Sequence, residues 1–290
     1  QGMIASLVAN AADTPFGTSA ITVNPGAGIQ LGTAAVGGGL TLVNDQTGLA
    51  TLAVGYVGAL PAFTSVYTTT GAPYSGVIGI GAVGYNLNID QSTLGGGKTF
   101  LGALWNTNDA TGITKVSSGN FTGTITPGVT TVAGSGFGSA PAGSTYRLGG
   151  GGSVLNLNRA NILTGANNVV FGAVSTAVQA SSLTMQGGGG TVALNVANDF
   201  SGYATFNAGQ IVQVAHNAAF GTSTLIFNNG TIVGDAYNRS QGFVAGRQIA
   251  NAIKFSGDIN FNNTFNGQPT DLTFTGGVGL TNDAVGGSLR

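Results

Sequence analysis

Phe220-Gly221-Thr222-Ser223-Thr224-Leu225-Ile226-Phe227-Asn228-Asn229-Gly230 has a second copy near the start of the chain, Phe16-Gly17-Thr18-Ser19-Ala20-Ile21-Thr22-Val23-Asn24-Pro25-Gly26. The offset is 220 − 16 = 204, and it carries upstream, where Leu7-Val8 aligns with Ile211-Val212 and Asp13 with Asn217. Each copy reads as a Phe-Gly-Thr-Ser turn, a strand and an Asn-x-Gly turn. Leu225 and Phe227 point to one face of the strand and Thr224 and Ile226 to the other, the period of two that marks a half-buried strand. A unit of this kind, used more than once, suits a chain that stacks like upon like.

Outward from these copies the same grammar continues. Strand-like runs stand at Ser19 to Val23, Leu40 to Val43, Ser75 to Ile80, Val154 to Leu157, Asn168 to Phe171, Thr191 to Val196, Gln210 to Val214, Thr224 to Phe227 and Asp271 to Phe274. Turn-forming residues separate them: Asn24-Pro25-Gly26, Gly37 to Gly39, Gly95 to Gly97, Gly149 to Gly152, Gly187 to Gly190 and Asn228-Asn229-Gly230. Helical spacing is short everywhere, and Asn217 to Phe220 reads as a turn. The pattern predicts an all-β chain of many short strands.

Composition narrows the class of protein. Gly supplies 52 of 290 residues, more than twice the usual share of about 7%. Charged residues are 6%, with eight Lys and Arg against nine acids, every one of them Asp. Such a chain has none of the Glu and almost none of the Lys of helical domains, and it lacks the clustered cations of a nucleic-acid binder. One His and no Cys exclude zinc, haem and iron–sulfur sites, and no cofactor or metal is expected. At 42% hydrophobic and a mean hydropathy of +0.29 the chain lies opposite to the composition of disorder. No run of 18 or more apolar residues is present, so no transmembrane helix is expected. Residues 1–5 lack the charged start of a signal peptide.

Residues 192–232 resemble the autotransporter-associated β-strand repeat of very large bacterial surface and secreted proteins. The resemblance rests on Leu194, Asn198, Phe200, Ser201, Gly202, Thr205, Phe206, Gly209, Ile211, Val214, Ala219-Phe220-Gly221, Leu225, Phe227 and Gly230-Thr231-Ile232. Tyr203 and Asn229 stand where that pattern carries Gly. Tyr146 to Gly152, with Leu163-Thr164-Gly165-Ala166-Asn167, is similar to segments between such repeats in planctomycete-like proteins. What the resemblance implies is a right-handed parallel β-helix, a β-solenoid, on an export route, with no chemistry attached. Coils of about 20–25 residues would give about a dozen, roughly 55–60 Å of rod, with ladders of Thr and Asn between them. The expected organisation is one solenoid over 1–290: a half repeat at 1–36, less regular coils at 37–145, and regular coils at 146–290 that include 192–232. Its ends are expected to be uncapped. The first copy stands almost at residue 1, so the chain is expected to open inside a unit that a longer chain or a neighbouring molecule completes.

Each chemical motif has a plainer reading beside it. Gly79-Ile80-Gly81-Ala82-Val83-Gly84 matches the dinucleotide-binding spacing, but chance supplies one or two such matches at this glycine content. The following Tyr85-Asn86-Leu87-Asn88-Ile89 reads as a strand where that motif needs a helix. Asp199, Asp235, Asp258 and Asp271 are the acid candidates for glycan cleavage, yet they stand at turns, where Asp bends the backbone. His216 has no triad spacing around it. Asn120-Phe121-Thr122 and Asn238-Arg239-Ser240 match the glycosylation acceptor, as an Asn- and Thr-rich chain does by chance. Trp105, Tyr56, Tyr67, Tyr74 and Phe63 gather in the first 110 residues, as core contacts or as a strip for stacking sugars.

Three functions remain in order. The first is a secreted, non-catalytic structural protein that joins copies of itself head to tail into an extracellular fibre, sheath or surface layer. It follows from low charge, which does little to keep molecules apart, and from strand edges that an uncapped solenoid leaves open. The second is an adhesin segment binding glycans or the cell envelope through aromatics and Asn ladders. The third, a polysaccharide-cleaving enzyme using Asp235 and Asp258, ranks last.

Overall fold

A computed structural model describes residues 4–7, 17–32, 38–45, 48–68, 75–82, 84–103, 118–128, 143–172, 190–207, 209–228, 231–234, 246–255, 260–262, 264–265, 268–269 and 272–280. They are all-β, with one 3-10 turn at Leu94–Gly97 and no α-helix among the described residues. Each of the nine runs read from the sequence overlaps a strand: Val154–Leu157 and Asn168–Phe171 coincide with it end to end, and Leu40–Asn44 and Thr224–Asn228 run one residue beyond the reading.

The longest sheet has eleven strands: Ile4–Leu7, Gly28–Leu31, Thr51–Val54, Val77–Ile80, Phe100–Ala103, Thr145–Leu148, Asn168–Phe171, Tyr203–Asn207, Thr224–Asn228, Ile253–Phe255 and Val278–Leu280. A six-stranded sheet holds Ser118–Phe121, Val154–Leu157, Thr191–Leu194, Ile211–Val214, Thr231–Gly234 and Asn260–Asn262. Ile21–Val23, Leu40–Asn44 and Thr64–Tyr67 form a third. In all three, neighbours pair in parallel and in order of sequence. Between every two successive strands of the long sheet the chain passes through a strand of another sheet. Parallel pairing requires such a crossover; here the crossover is itself a strand. The one antiparallel pair of strands among the described residues joins Thr264–Phe265 to Gln268–Pro269.

One apolar core serves the sheets together. Ile29, Leu52, Ile78, Leu101, Leu148, Phe171, Phe206, Phe227 and Phe255 stand in register along the long sheet. Phe121, Leu157, Leu194 and Val214 from the six-stranded sheet join the same cluster, as do Val23 and Leu42 from the third. The row runs on as adjoining phenylalanines, with ring centroids 5.1 Å apart for the tilted pair Phe171 and Phe206, and 4.5 Å and 6.0 Å for the stacked pairs Phe206 and Phe227 and Phe227 and Phe255. Such offset pairs add about 0.5–1.5 kcal/mol each beyond area burial.

Two features differ from a chain of half-buried strands. Thr51–Val54, Val77–Ile80, Phe100–Ala103 and Thr145–Leu148 are buried at every position: the outer side of the long sheet carries a second small cluster of Leu49, Val77 and Phe100, with Tyr67 and Val170 against it, and Gln91 and Gly97 hydrogen-bond Arg147. Parallel sheets covered on both faces lose the two-residue alternation. The aligned copies also separate: Ile21–Val23 lies in the three-stranded sheet and Thr224–Asn228 in the long one.

Buried amides tie one strand-and-turn layer to the next. Asn198 accepts from Leu163 N through Oδ1 at 3.1 Å and donates from Nδ2 to Ala219 O at 2.9 Å. Asn251 donates from Nδ2 to Ser223 O at 2.8 Å, and Asn44 takes Ala50 N on Oδ1 at 2.8 Å. Each satisfies backbone groups left over where strands end, which is what permits a turn to be buried.

Candidate functional site

Tyr85, Phe121, Leu157, Leu194 and Val214 are in register and buried. The residue after each therefore stands on the opposite, outward face. Those residues are Asn86, Thr122, Asn158, Asn195 and Ala215. Asn86, Thr122 and Asn158 are exposed, and Asn195 is half-exposed. Neighbours across the row are separated by one strand spacing, about 4.8 Å. One step back along the strands, half-exposed Asn120 and Asn156 begin a second row.

The amides of the two rows bond to one another in one direction. Asn195 Nδ2 donates to Asn158 Oδ1 at 2.7 Å and to Asn156 Oδ1 at 3.4 Å. Asn156 and Asn158 in turn donate from Nδ2 to Asn120 Oδ1 at 3.1 and 3.4 Å. Ladders of Thr and Asn belong to the solenoid expectation; the members of this one are particular residues. None of these residues is ionisable, so the surface offers neutral donors and acceptors. Exposed Arg159 stands beside Asn158, and Leu87, 39% exposed, beside Asn86. Sequence reading passed over the row. Its signal was the spacing of an apolar residue followed by Asn or Thr: 122 − 86 = 36, 158 − 122 = 36 and 195 − 158 = 37.

The other candidates are placed separately. Gly79 and Ile80 end a strand, Gly84 has φ +78°, and Tyr85 bridges to Phe121. The glycines thus lead into extended chain, where a phosphate-binding turn needs a helix. Asp199 is exposed and its backbone N donates to Leu163 O. Asp235, Asp258 and Asp271 lie outside the described residues. His216 is exposed in the turn before Phe220, and its Nδ1 accepts from Ala218 N at 3.0 Å, which leaves the proton of the neutral ring on Nε2. Among the described residues no three of His, Cys, Asp or Glu are placed to hold a metal ion. Asn120 of the first glycosylation match is on a paired strand with its Oδ1 in the ladder. Asn238-Arg239-Ser240, Trp105 and Tyr74 lie outside the described residues.

The described members of the candidate aromatic strip are engaged within the molecule. Phe63 packs half-buried on the core, and Tyr67 on the outer cluster. Tyr56 donates its hydroxyl to Ala59 O at 2.9 Å, and Tyr85 donates to Gly58 O at 2.8 Å. Burial, and secondarily the neighbouring Tyr85, pushes the Tyr56 phenol up to about 12. Burial raises the Tyr67 and Tyr85 phenols as well, so alkaline titration followed by phenolate absorbance is expected to show a late component that Tyr56→Phe diminishes. The folded value of Tyr56 lies above the unfolded one, about 10. Its stabilising contribution is therefore complete below pH ~10 and is lost as pH rises through about 12. A titration without a late component would contradict this placement.

No protein family, curated protein or solved structure matches this chain.

Proposed function

We propose that this chain forms a right-handed parallel β-helix of about a dozen coils. In this reading it is a secreted, non-catalytic structural protein, placed outside the cell or on its outer surface, that joins head to tail into a fibre, sheath or layer. The observation that carries the reading is the eleven-stranded sheet itself, in which each strand pairs in parallel with the next and every crossover contains a further strand. Parallel crossovers are right-handed in about 98% of cases, which supports the handedness.

Among the described residues, Ile4–Leu7 and Val278–Leu280 are the edge strands of that sheet. A parallel sheet has two unlike edges, each a template for another strand. Contact between unlike surfaces does not close on itself and grows as an open filament. Val278, on one of these edges, is 59% exposed. Eight cations and nine acids over 290 residues oppose such contact weakly.

Electron microscopy of the purified chain at rising concentration tests this reading. Filaments of uniform width, lengthening with concentration, are the expected result. Dispersed particles persisting at high concentration would overturn it. The glycan-binding alternative draws its support from the amide row.

A further inference from the structure

We infer that the row Asn86, Thr122, Asn158 and Asn195, backed by Asn120 and Asn156, is a binding strip for a neutral, extended polysaccharide that lies across the strands. The inference goes beyond the proposed structural role and does not depend on it. Its basis is a match of chemistry and of period.

A sugar hydroxyl both donates and accepts. A ligand chain rich in hydroxyls is served best by side chains that offer both functions at short, regular intervals. An Asn amide has two N–H donors and a carbonyl acceptor, and a Thr hydroxyl has one donor and two lone pairs. Here four such side chains stand side by side, Thr122, Asn158 and Asn195 one residue past the ends of parallel strands and Asn86 one residue past the Tyr85 bridge, about 4.8 Å apart, close to the length of one sugar unit in an extended chain. Four positions span three intervals, about 14 Å.

The Asn158–Asn195 half of the strip is also ordered before any ligand arrives. Asn195, Asn158, Asn156 and Asn120 fix one another through four amide hydrogen bonds between 2.7 and 3.4 Å. Side chains already held in place lose less freedom on binding. The ladder spends its hydrogen bonds from Asn195 towards Asn120, so the carbonyl of Asn195 and the NH2 of Asn120 remain at its two ends. A bound chain therefore meets a spare acceptor at Asn195, the last position of the strip, and a spare donor at Asn120, on the strand that leads to Thr122, which gives it a preferred direction.

Neutrality selects the class of polymer. The two rows contain no ionisable side chain, so a polymer charged at every unit gains no ion pair within them while losing hydration. Tyr56 and Tyr85 use their hydroxyls internally, and no described aromatic ring belongs to the two rows. Without an aromatic platform each sugar unit is held weakly. Binding then grows with the number of units engaged along the strip and favours polymer over monosaccharide.

The test is retention of the purified full chain on microcrystalline cellulose, chitin and particulate β-glucan, with carboxymethyl-cellulose as the charged comparison. The expected result is retention on at least one neutral polymer, exceeding that on carboxymethyl-cellulose. A triple variant, Asn86→Ala with Thr122→Ala and Asn158→Ala, is expected to lose at least tenfold in retention while keeping the parent's circular dichroism. Should that variant fail to fold, Thr122→Lys places one charged, exposed side chain in mid-row and is expected to lose a similar factor. Absence of retention on all three neutral polymers overturns the inference, as does retention that the folded variant leaves unchanged. Stronger retention on the charged polymer overturns it too. Filament formation by the same variant separates the two proposals. Filaments with lost retention uphold the strip. Lost filaments with unchanged retention assign the row to contact with a second copy of this chain.

Discussion

Gly102→Ala is expected to lower stability by about 3 kcal/mol or more, at or beyond the upper end of what overpacking of a core usually costs. Gly102 lies in the strand Phe100–Ala103 of the long sheet. A Cβ built there would overlap Gly150 O and approach Gly149 O to 2.7 Å. Both obstacles are backbone atoms, so no rotamer change relieves them. Neither can the backbone retreat. Gly149 N donates to Leu101 O at 2.7 Å, and Ser153 N to Ala103 O at 3.1 Å, which staples the turn to the strand on both sides of Gly102. The turn is itself restricted, because Gly149, Gly150, Gly151 and Gly152 have φ of +113°, +88°, +80° and +80°, a region that residues with a Cβ rarely enter. Gly39→Ala is the control. Nothing lies within 4 Å of a Cβ at that position, so the change is expected to fall within about 1 kcal/mol of neutral and to stabilise slightly through the unfolded chain. Urea denaturation of the whole chain reads both midpoints. Equal midpoints for the two variants would show that the Gly149–Gly152 turn yields more easily than its hydrogen bonds imply.

That glycine turn also shows what the sequence disclosed and what it withheld. Gly149 to Gly152 could be read as a turn from residue type alone, because glycine opens positive φ. That Gly102, 47 residues away, exists to let this turn approach could not be, since the contact is long-range. The same division runs through the strands. Leu40–Asn44 and Val154–Leu157 alternate in burial, and their period of two was visible. Phe100–Ala103 is buried throughout and reads Phe-Leu-Gly-Ala, so no alternation was there to be found; Gly28–Leu31 does alternate, but Gln30 is buried with its apolar neighbours. The duplicated Phe-Gly-Thr-Ser unit specified a turn followed by a strand in both copies. It did not specify the sheet, since Ile21–Val23 and Thr224–Asn228 belong to different ones. Local sequence encodes the turn; sheet membership depends on which strands arrive alongside. The amide row was legible only as an interval of 36 to 37 residues between Asn or Thr side chains. That interval acquires meaning once Tyr85, Phe121, Leu157 and Leu194 are known to be in register.

Phe206→Ala is expected to cost about 3–5 kcal/mol, the range for removing a buried phenylalanine. Phe206 is fully buried and touches three other rings: Phe227 stacked at 4.5 Å, Phe171 tilted at 5.1 Å and Phe220 edge-on at 5.6 Å. Phe206→Leu keeps most of the volume and loses the ring contacts, so it should cost less than half as much. The more informative measurement is coupling. Phe206 and Phe227 occupy adjacent strands and are in contact, so the double change to Ala should depart from the sum of the single changes by about 0.5–3 kcal/mol. Ile78 stands in the same inward row, on the fourth strand of the long sheet where Phe206 is on the eighth. Paired with Ile78→Ala, Phe206→Ala should therefore add within about 0.5 kcal/mol. The reason is geometric. In a sheet laid down in chain order, each strand bonds only to the ones before and after it, so stability is approximately a sum of nearest-neighbour terms. Strong coupling between Phe206 and Ile78 would mean that the core yields as a single block, and that the apolar row is more than a series of local contacts.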